Sequence, residues 1–165
     1  MMKRAEVNDA ISIYLLGNFY HHGQHGLLQD RTKAIELMKK AAELGSSQAH
    51  CELGNIYYNQ GGHLKKAKFH YEAAAMAGHD SARSNLGRME GNSGNVEQAI
   101  KHWIIGASAG CYRSMKNLIF VFKKGLVSRE SINTTLTAYN KSCVEVRSES
   151  RDAVIRTYGI SIATV

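Results

Sequence analysis

Three segments of small residues recur at a nearly constant spacing along this chain of 165 residues. They read Ala-Ala-Glu-Leu-Gly at 41–45, Ala-Ala-Met-Ala-Gly at 74–78 and Gly-Ala-Ser-Ala-Gly at 106–110, and they lie 33 and then 32 residues apart. A fixed period of this size is typical of proteins built from stacked helical pairs. Because such a stack presents an extended groove more often than an enclosed catalytic pocket, the period favours binding over chemistry.

The period and the composition together favour an all-α solenoid of about four antiparallel helix pairs. The chain has 44% hydrophobic residues, enough for a sizeable core, and no proline to break a helix. Each unit is predicted to contain a first helix, A, and a second helix, B, which carries the segment of small residues. Gly45, Gly78 and Gly110 each follow a B helix, where a left-handed backbone costs glycine little. The predicted boundaries are 1–9 for an N-terminal extension, 10–45, 46–78, 79–110 and 111–146 for the solenoid units, and 147–165 for a C-terminal capping helix and tail.

Small residues inside the predicted helices have a packing role. Gly54 and Gly87 on the A helices, with Ala67 and Ala99 on the B helices, recur with the same period and would let helix backbones approach closely. The Leu-Gly pair at 16–17 precedes the pair at 53–54 by 37 residues, a surplus of four. We assign the surplus to a loop in the His- and Gly-rich stretch 21–26, since insertions in repeat arrays belong in loops.

The second unit carries the full pattern of a known repeat. Its residues are Ala49, Leu53, Gly54, Tyr57, Gly61, Lys66, Ala67, Ala74, Ala75 and Gly78. This pattern resembles the Sel-one-like repeat (SLR) family, a cousin of the tetratricopeptide repeat, over residues 10–144. The resemblance implies a right-handed α-solenoid that acts as a scaffold or adaptor without catalysis of its own. The third unit departs at Glu90, where Tyr is expected, and the fourth at Ser114, Ile119 and Ser131, so we expect looser or re-angled packing there.

In a tetratricopeptide-like stack the A helices line the concave face, and this geometry selects candidate binding residues. The residue after each Leu-Gly pair, or its equivalent, points into the groove, and the residue one turn earlier shares its face. Together with positions that continue this face, the predicted partner-binding residues are Tyr14, Asn18, Asn55, Tyr58, Asn59, Arg88, Asn92, Arg113, Lys116, Phe120, Lys123 and Lys124. Cys51, Ser84, His21 and His22 fall on the same predicted face.

Charge along this groove is uneven. Residues 98–144 contain seven Lys or Arg and one acid, Glu130, so this stretch carries +6 of a net charge of +7. Asn side chains can hydrogen-bond the backbone of an extended peptide, while cations receive its carboxylates through charge-assisted hydrogen bonds. We therefore expect a protein or peptide partner with an acidic or carboxylate-ended segment. The lysines within 39–40 and 65–68 are interpreted as solvated faces or helix ends.

Other functional classes receive less support. The basic composition makes nucleic-acid binding an alternative, but no zinc finger, recognition-helix signature or basic-aromatic alternation accompanies it. Relatives of the resembled family can follow a ubiquitin-ligase module, so recruiting substrates in a ubiquitin-ligase assembly is another alternative. His21, His22 and His25 lack a neighbouring Cys or acid, so no metal or other cofactor is expected. The remaining histidines have no spacing that suggests a catalytic triad, and we expect no enzyme activity.

Two negative features predict the compartment. The N-terminal apolar run is too short and too often interrupted for a signal peptide or a membrane span. Cys51, Cys111 and Cys143 are odd in number and lack a CxxC spacing, so neither a disulfide framework nor a cysteine zinc site is indicated. We expect buried, reduced thiols, no membrane partner, and a cytoplasmic or nuclear location. The sequence does not indicate an oligomeric state.

Overall fold

The described part of the chain folds into eight helices and contains no strand. The computed structural model describes the backbone of residues 2–158 and the side chains of residues 9–146. The helices are α1 (Met2–His22), α2 (Arg31–Glu43), α3 (Ser47–Asn59), α4 (Leu64–Met76), α5 (Asp80–Asn92), α6 (Val96–Ser108), α7 (Tyr112–Lys123) and α8 (Arg129–Tyr158). The odd-numbered helices are the A helices of four successive pairs, and the even-numbered ones are the B helices. This arrangement confirms the predicted all-α solenoid.

Short polar side chains and glycines set the helix boundaries. Asp30 caps α2 by accepting a hydrogen bond from the Lys33 backbone N–H at 3.0 Å. Ser46 caps α3 in the same way, through the Ala49 N–H at 3.2 Å. The glycines that follow α2, α4 and α6 have φ values between 81° and 89°, the left-handed conformation predicted for them. The helix boundaries therefore coincide with capping side chains and with the glycines predicted to end the B helices.

A glycine on the A helix receives an aromatic ring from the B helix in the second and third pairs. The ring of Tyr71 lies on Gly54, where a Cβ would be 2.6 Å from ring atom Cδ1. Trp103 lies on Gly87 in the same manner, and a Cβ there would also be 2.6 Å from Cδ1 of the indole. The sequence predicts small residues on both helices at this contact. The structure corrects that expectation, because the gap beside each glycine holds a ring.

The fourth pair packs differently, as its departures from the repeat pattern predict. Ile119 takes the slot that glycine holds in the two preceding pairs, and Thr135 takes the slot of the ring. An isoleucine side chain removes the gap on α7, and α8 contacts α6 more extensively than it contacts α7. The Ser142 hydroxyl on α8 donates to the Ser108 carbonyl of α6 at 2.8 Å. The last B helix therefore leans onto the preceding pair and away from its own A helix.

The buried apolar residues form two clusters. The larger one joins α2, α3, α4 and α5 around the fully buried side chains of Met38, Leu53 and Tyr71. The smaller one joins α6, α7 and α8 around Trp103 and Leu118. The division between the clusters thus falls inside the third pair, between α5 and α6, and the fourth pair depends on the smaller cluster.

Three further features concern the chain ends, the thiols and membranes. The backbone is helical across residues 9–10 and across 146–147, the two places where domain boundaries are predicted, and 159–165 lie outside the described residues. Cys51 and Cys111 are buried free thiols, and Cys143 is a half-buried one. Within the described residues, every helix is too short or too polar to cross a bilayer.

Candidate functional site

The A helices form one face of the array. α3 contacts α5, and α5 contacts α7, whereas contacts among α2, α4 and α6 are weaker or absent in the described chain. Helices that approach one another across successive units lie on the inner side of a curved array. From α3 to α7 the concave face is therefore built from the A helices, which carry the predicted binding residues. At the last pair the B helices α6 and α8 also contact each other.

Tyr71 brings a polar group from the core to this face. Because Gly54 leaves room for its ring, the hydroxyl reaches across α3 and donates to Asn55 Oδ1 at 2.7 Å. Asn85 Nδ2 on α5 donates to the same oxygen at 3.0 Å. Burial raises the pKa of Tyr71, and the nearby Arg88 guanidinium opposes that shift. The hydroxyl is therefore a neutral donor that ties α4, α3 and α5 together beneath the groove.

A second contact between α3 and α5 lies further along the groove. The Arg88 guanidinium lies over the Tyr58 ring, with Cζ 5.3 Å from the ring centroid. Asn92 Nδ2 donates to the Tyr58 hydroxyl at 2.6 Å. Four of the predicted binding residues, Asn55, Tyr58, Arg88 and Asn92, are thus brought together in one polar and aromatic strip.

A basic cavity of about 410 Å³ opens between α5 and α7. Three cations reach it, Arg88 from α5 and Arg113 and Lys116 from α7. Neither Arg113 nor Lys116 forms an ion pair within residues 9–146. The complete lining is Ser84, Asn85, Arg88, Arg113, Lys116 and Asn117. The cavity thus concentrates positive charge beside Asn85 and Asn117, which suits an anionic group.

A larger cavity of about 460 Å³ lies between the first two units. It is lined by His21, Arg31, Ile35, Glu52, Asn55, Ile56, Asn59 and Gln60. Its charged groups, Arg31 and Glu52, are of opposite sign. Asn55 borders this cavity and also joins the strip that leads to the basic cavity, so the two cavities are neighbours along one face.

The remaining predicted residues lie at the two ends of the face. Tyr14 on α1 is half-buried, and its pKa is raised first by burial and then by Glu52 on α3, which places it beside the second unit. Asn18 is also half-buried on α1. Phe120, Lys123 and Lys124 are exposed on and just beyond the end of α7, with Lys124 Nζ 5.7 Å from the Phe120 ring centroid. None of these five residues lines either cavity.

Two residues that fall on the predicted face are not accessible. Cys51 is buried, and burial raises the pKa of its thiol to about 12, so the thiol stays protonated near neutral pH. Ser84 is also buried, and its backbone carbonyl accepts a hydrogen bond from Trp103 Nε1 at 3.3 Å. Neighbouring helices cover both side chains, so their expected contact with a partner is corrected to a structural role.

A family model describes most of this chain. The Sel1 repeat model matches residues 10–46, 47–79 and 80–111. The chain belongs to the Sel1 repeat family. Sel1 repeats generally serve as protein–protein interaction scaffolds and are typically non-enzymatic. The Sel-one-like resemblance predicted from the second unit is therefore confirmed.

Two solved structures share the Sel1 repeat fold. One is c5321, a protective antigen of uropathogenic Escherichia coli strains with an SLR fold, at a TM-score of 0.66 and 24% identity over 98% of this chain. The other is a Sel1 repeat protein from Oxalobacter formigenes, at a TM-score of 0.64 and 24% identity over 88% of this chain. The chain spans 43% and 60% of these two proteins, respectively. Among curated proteins, no sequence matches this chain.

Sequence reasoning missed several lining residues of this Sel1 repeat groove. Glu52, Asn85 and Asn117 occupy one repeat slot, 33 and then 32 residues apart, and each lines a cavity. A polar residue that recurs in one slot beside a buried Leu was the available signal. Arg31 was missed for a different reason, because it begins a B helix and only the folded pairing brings it to α3.

Lys68 also has a role that the sequence does not reveal. It was interpreted as part of a solvated face, but its Nζ lies 2.7 Å from Oε1 of the buried Glu90. Asn95 Nδ2 donates to the other carboxylate oxygen at 2.8 Å. These two hydrogen bonds, Lys68 first, hold the pKa of Glu90 below its usual range. The carboxylate that replaces Tyr in the third Sel1 unit is thus a structural link between α4, α5 and the start of α6.

Two of the histidines, His50 and His70, contact each other between α3 and α4. His50 Nδ1 and His70 Nδ1 are 3.0 Å apart, and burial followed by the neighbouring His50 lowers the pKa of His70 to about 4. His25 contacts the Phe19 ring, with centroids 4.2 Å apart. Within residues 9–146, no three side chains of His, Cys, Asp or Glu lie close enough together to hold a metal ion.

Proposed function

We propose that this Sel1 repeat array is a non-catalytic scaffold that binds an acidic or carboxylate-ended peptide segment of a partner protein along its concave face. The observation that carries the proposal is the basic cavity between α5 and α7. Arg113 and Lys116 face it without an ion pair in the described residues, beside Arg88. Cations that face a groove without a carboxylate of their own are suited to the carboxylates of a ligand.

The concave face is organised before a ligand arrives. Asn55 Oδ1 is already occupied by the Tyr71 hydroxyl and by Asn85, which leaves the Nδ2 hydrogens of Asn55 for a peptide carbonyl. The Tyr58 ring and Asn92 hold Arg88 and the neighbouring strip in place. A ligand that meets preformed donors loses less binding free energy to the ordering of side chains.

The uneven charge of the groove predicts the direction in which a peptide would bind. The cavity between the first two units has one cation and one acid, and the cavity between α5 and α7 has three cations. An extended segment that crosses both would place neutral or mixed residues near Asn59 and its carboxylates near Lys116. Lys123 and Lys124 extend the positive end beyond this cavity.

Catalysis has little support from the described side chains. A nucleophile requires a lowered pKa or an adjacent base. The Cys51 thiol has a raised pKa, and the imidazoles of His50 and His70 contact each other. These groups stabilise the fold, which agrees with a scaffold role.

Fluorescence anisotropy with a labelled hexaglutamate peptide tests this function. We expect saturable binding by the wild type, a decrease in affinity of about tenfold or more for the double variant Arg113→Ala, Lys116→Ala, and weaker binding as salt increases. The matched control is Lys40→Ala, Lys101→Ala, which removes two exposed charges from B helices and should bind like the wild type. Arg113 and Lys116 are better positions for this test than Asn55 or Arg88, whose loss would also disturb Tyr71.

The same assay distinguishes the sources of binding. A hexaglutamate peptide with an amidated C-terminus reports whether side-chain carboxylates suffice or the terminal carboxylate is required. Equal loss of affinity in both double variants would mean that the peptide responds to net charge alone and would contradict the proposed site. Binding of a DNA duplex at physiological salt that the Arg113→Ala, Lys116→Ala variant abolishes would instead support the nucleic-acid alternative. Partners captured from cell extract by the wild type and lost with that variant, including any ubiquitin-ligase subunits, would identify the ligand.

A further inference from the structure

The outer face of α1 lacks the cover that every later A helix has. Leu16 is 41% exposed, whereas the equivalent leucines are covered: Leu53 and Leu118 are 0% exposed and Leu86 is 1% exposed. α1 packs on α2 as extensively as α3 packs on α4 and α5 packs on α6. What Leu16 lacks, among the described residues, is a preceding helix pair. Among the described residues, this apolar slot of α1 is therefore open.

This face is apolar beyond the repeat slot itself. Ile11 and Leu15, one helical turn apart, are 44% and 43% exposed. The same two slots are polar in every later unit: Gln48 and Glu52 in α3, Ser81 and Asn85 in α5, Arg113 and Asn117 in α7. Of these residues, Glu52, Asn85, Arg113 and Asn117 line the two cavities between successive units. Only α1 carries large aliphatic side chains there, so its outer face is suited to bury against an apolar surface.

The opposite end of the array offers such a surface. Because α8 leans onto α6, it leaves an apolar crevice of about 240 Å³ against α7. The crevice is lined by Tyr112, Met115, Lys116, Ile119, Leu136 and Tyr139. Leu136 is exposed, and no described helix follows α8.

Charge favours contact between opposite ends. Residues 9–46 contain four acids and four Lys or Arg, so the first unit is neutral, whereas the last stretch, 98–144, carries +6. Two copies that met through their last units would place like charges together. A neutral α1 face against the basic last unit avoids this repulsion.

We propose that a second copy of this chain stacks its α1 face on the α7–α8 crevice of the first, in a head-to-tail contact that continues the repeat. Ile11, Leu15 and Leu16 of one copy would cover Ile119 and Leu136 of the other. Such a contact is heterologous, since the two copies contribute different surfaces. Each dimer therefore still exposes one free α1 face, the head, and one free α7–α8 crevice, the tail. Association would therefore grow beyond the dimer as concentration rises.

Sedimentation velocity over roughly a hundredfold range of concentration tests the contact. The head variant Ile11→Gln, Leu15→Glu and the tail variant Leu136→Glu use residues that α3 and α4 already carry in these slots, Gln48, Glu52 and Glu72, so both should fold. We expect the wild type to shift to larger species with concentration, and each variant alone to stay monomeric. An equimolar mixture should form a dimer and nothing larger, because each copy retains one intact surface. The control Ile105→Glu, an exposed apolar position on α6, should associate like the wild type.

Other outcomes overturn the proposal. A wild type that stays monomeric throughout the range shows that the two ends do not bind. Loss of association in the head variant alone, with the tail variant unaffected, means a symmetric contact through α1, and the reverse pattern means one through α8. Association that persists in both variants places the interface elsewhere. Circular dichroism and melting temperatures equal to those of the wild type confirm that each variant is folded.

Discussion

At the scale of single residues, glycine and aromatic positions act as matched pairs. Gly54 accommodates the Tyr71 ring and Gly87 accommodates the Trp103 ring, and each ring fills a space that a Cβ would occupy. Protein interiors have few voids, so neither partner can change size independently without strain or a cavity. Trp103 is the only tryptophan of the chain, which makes this pair observable by fluorescence.

Enlarging Gly87 should destabilise the protein. A leucine at this position meets Trp103, and overpacking of this kind costs about 3 kcal/mol. Urea unfolding followed by Trp103 fluorescence measures the effect for Gly87→Leu. The control is Gly91→Ala on the same helix, where a Cβ would make ordinary contacts of 3.6 Å with Ala99 and Trp103. We expect that control to be neutral or slightly stabilising, since alanine favours helix more than glycine does. A Gly87→Leu protein as stable as the wild type would contradict the pairing.

The burial of His70, together with its contact with His50, should make stability depend on pH. The pKa of His70 is lowered to about 4 in the folded chain, whereas an unfolded imidazole titrates near about 6.5. The unfolded state therefore binds a proton first as pH falls, and stability that is present above the unfolded pKa is lost progressively as the pH approaches 4. The partly exposed imidazole limits the loss to about 2 kcal/mol.

The variant His70→Phe isolates this pH effect. Phenylalanine keeps a ring against Tyr57, whose stacking on His70 has a centroid distance of 5.5 Å, and removes the titrating group. We expect the difference in unfolding free energy between variant and wild type to shift in favour of the variant on acidification. Parallel stability curves for the two proteins between about pH 7 and pH 5 would show that His70 does not titrate abnormally.

At the scale of helices, the fourth pair is the least regular part of the array. Ile119 and Thr135 replace the glycine and the ring, α8 leans onto α6, and the smaller core cluster holds the last helices. In repeat proteins each unit is stabilised mainly by its neighbours, so a unit with a weaker internal contact depends on one interface. Local stability should therefore fall towards α7 and α8.

Hydrogen exchange measured by mass spectrometry tests this gradient. We expect amides of α3, α4 and α5, which surround Tyr71 and Leu53, to exchange more slowly than those of α7 and the described start of α8. The difference should exceed about tenfold in protection, which corresponds to about 1.4 kcal/mol of local opening free energy. Equal protection across α3 to α8 would mean that the array opens as one cooperative unit.

At the scale of the whole molecule, periodic residues made the fold predictable and non-periodic ones did not. The glycines after α2, α4 and α6 located helix ends, and the departures at Ile119 and Ser131 indicated that the fourth pair would differ. The direction in which α8 leans was not predictable, because it depends on which neighbour offers the better surface. The same limit applies to Lys68 and Glu90, which are 22 residues apart and meet only once α4 and α5 have stacked.

The candidate groove was predictable to the extent that helical phase determines it. Spacing alone placed Asn55, Arg88 and Lys116 on successive A helices of one face. Spacing could not show that Tyr71, a core residue of a B helix, sends its hydroxyl into that face, because this depends on the missing Cβ of Gly54. The binding role of the face stays a prediction until a ligand is measured.

Tyr71 has a consequence for how such a groove can change over evolution. Its ring stabilises the interior and its hydroxyl donates a hydrogen bond to Asn55. A substitution at Asn55 that leaves this hydroxyl without an acceptor would therefore both alter ligand recognition and weaken folding. Substitution of Arg113 or Lys116 would not weaken folding in this way, because both residues are exposed and lack ion pairs within residues 9–146. New ligand preferences should therefore arise first on the last A helix, where mutations can be tried without loss of the fold, while the middle of the groove changes slowly.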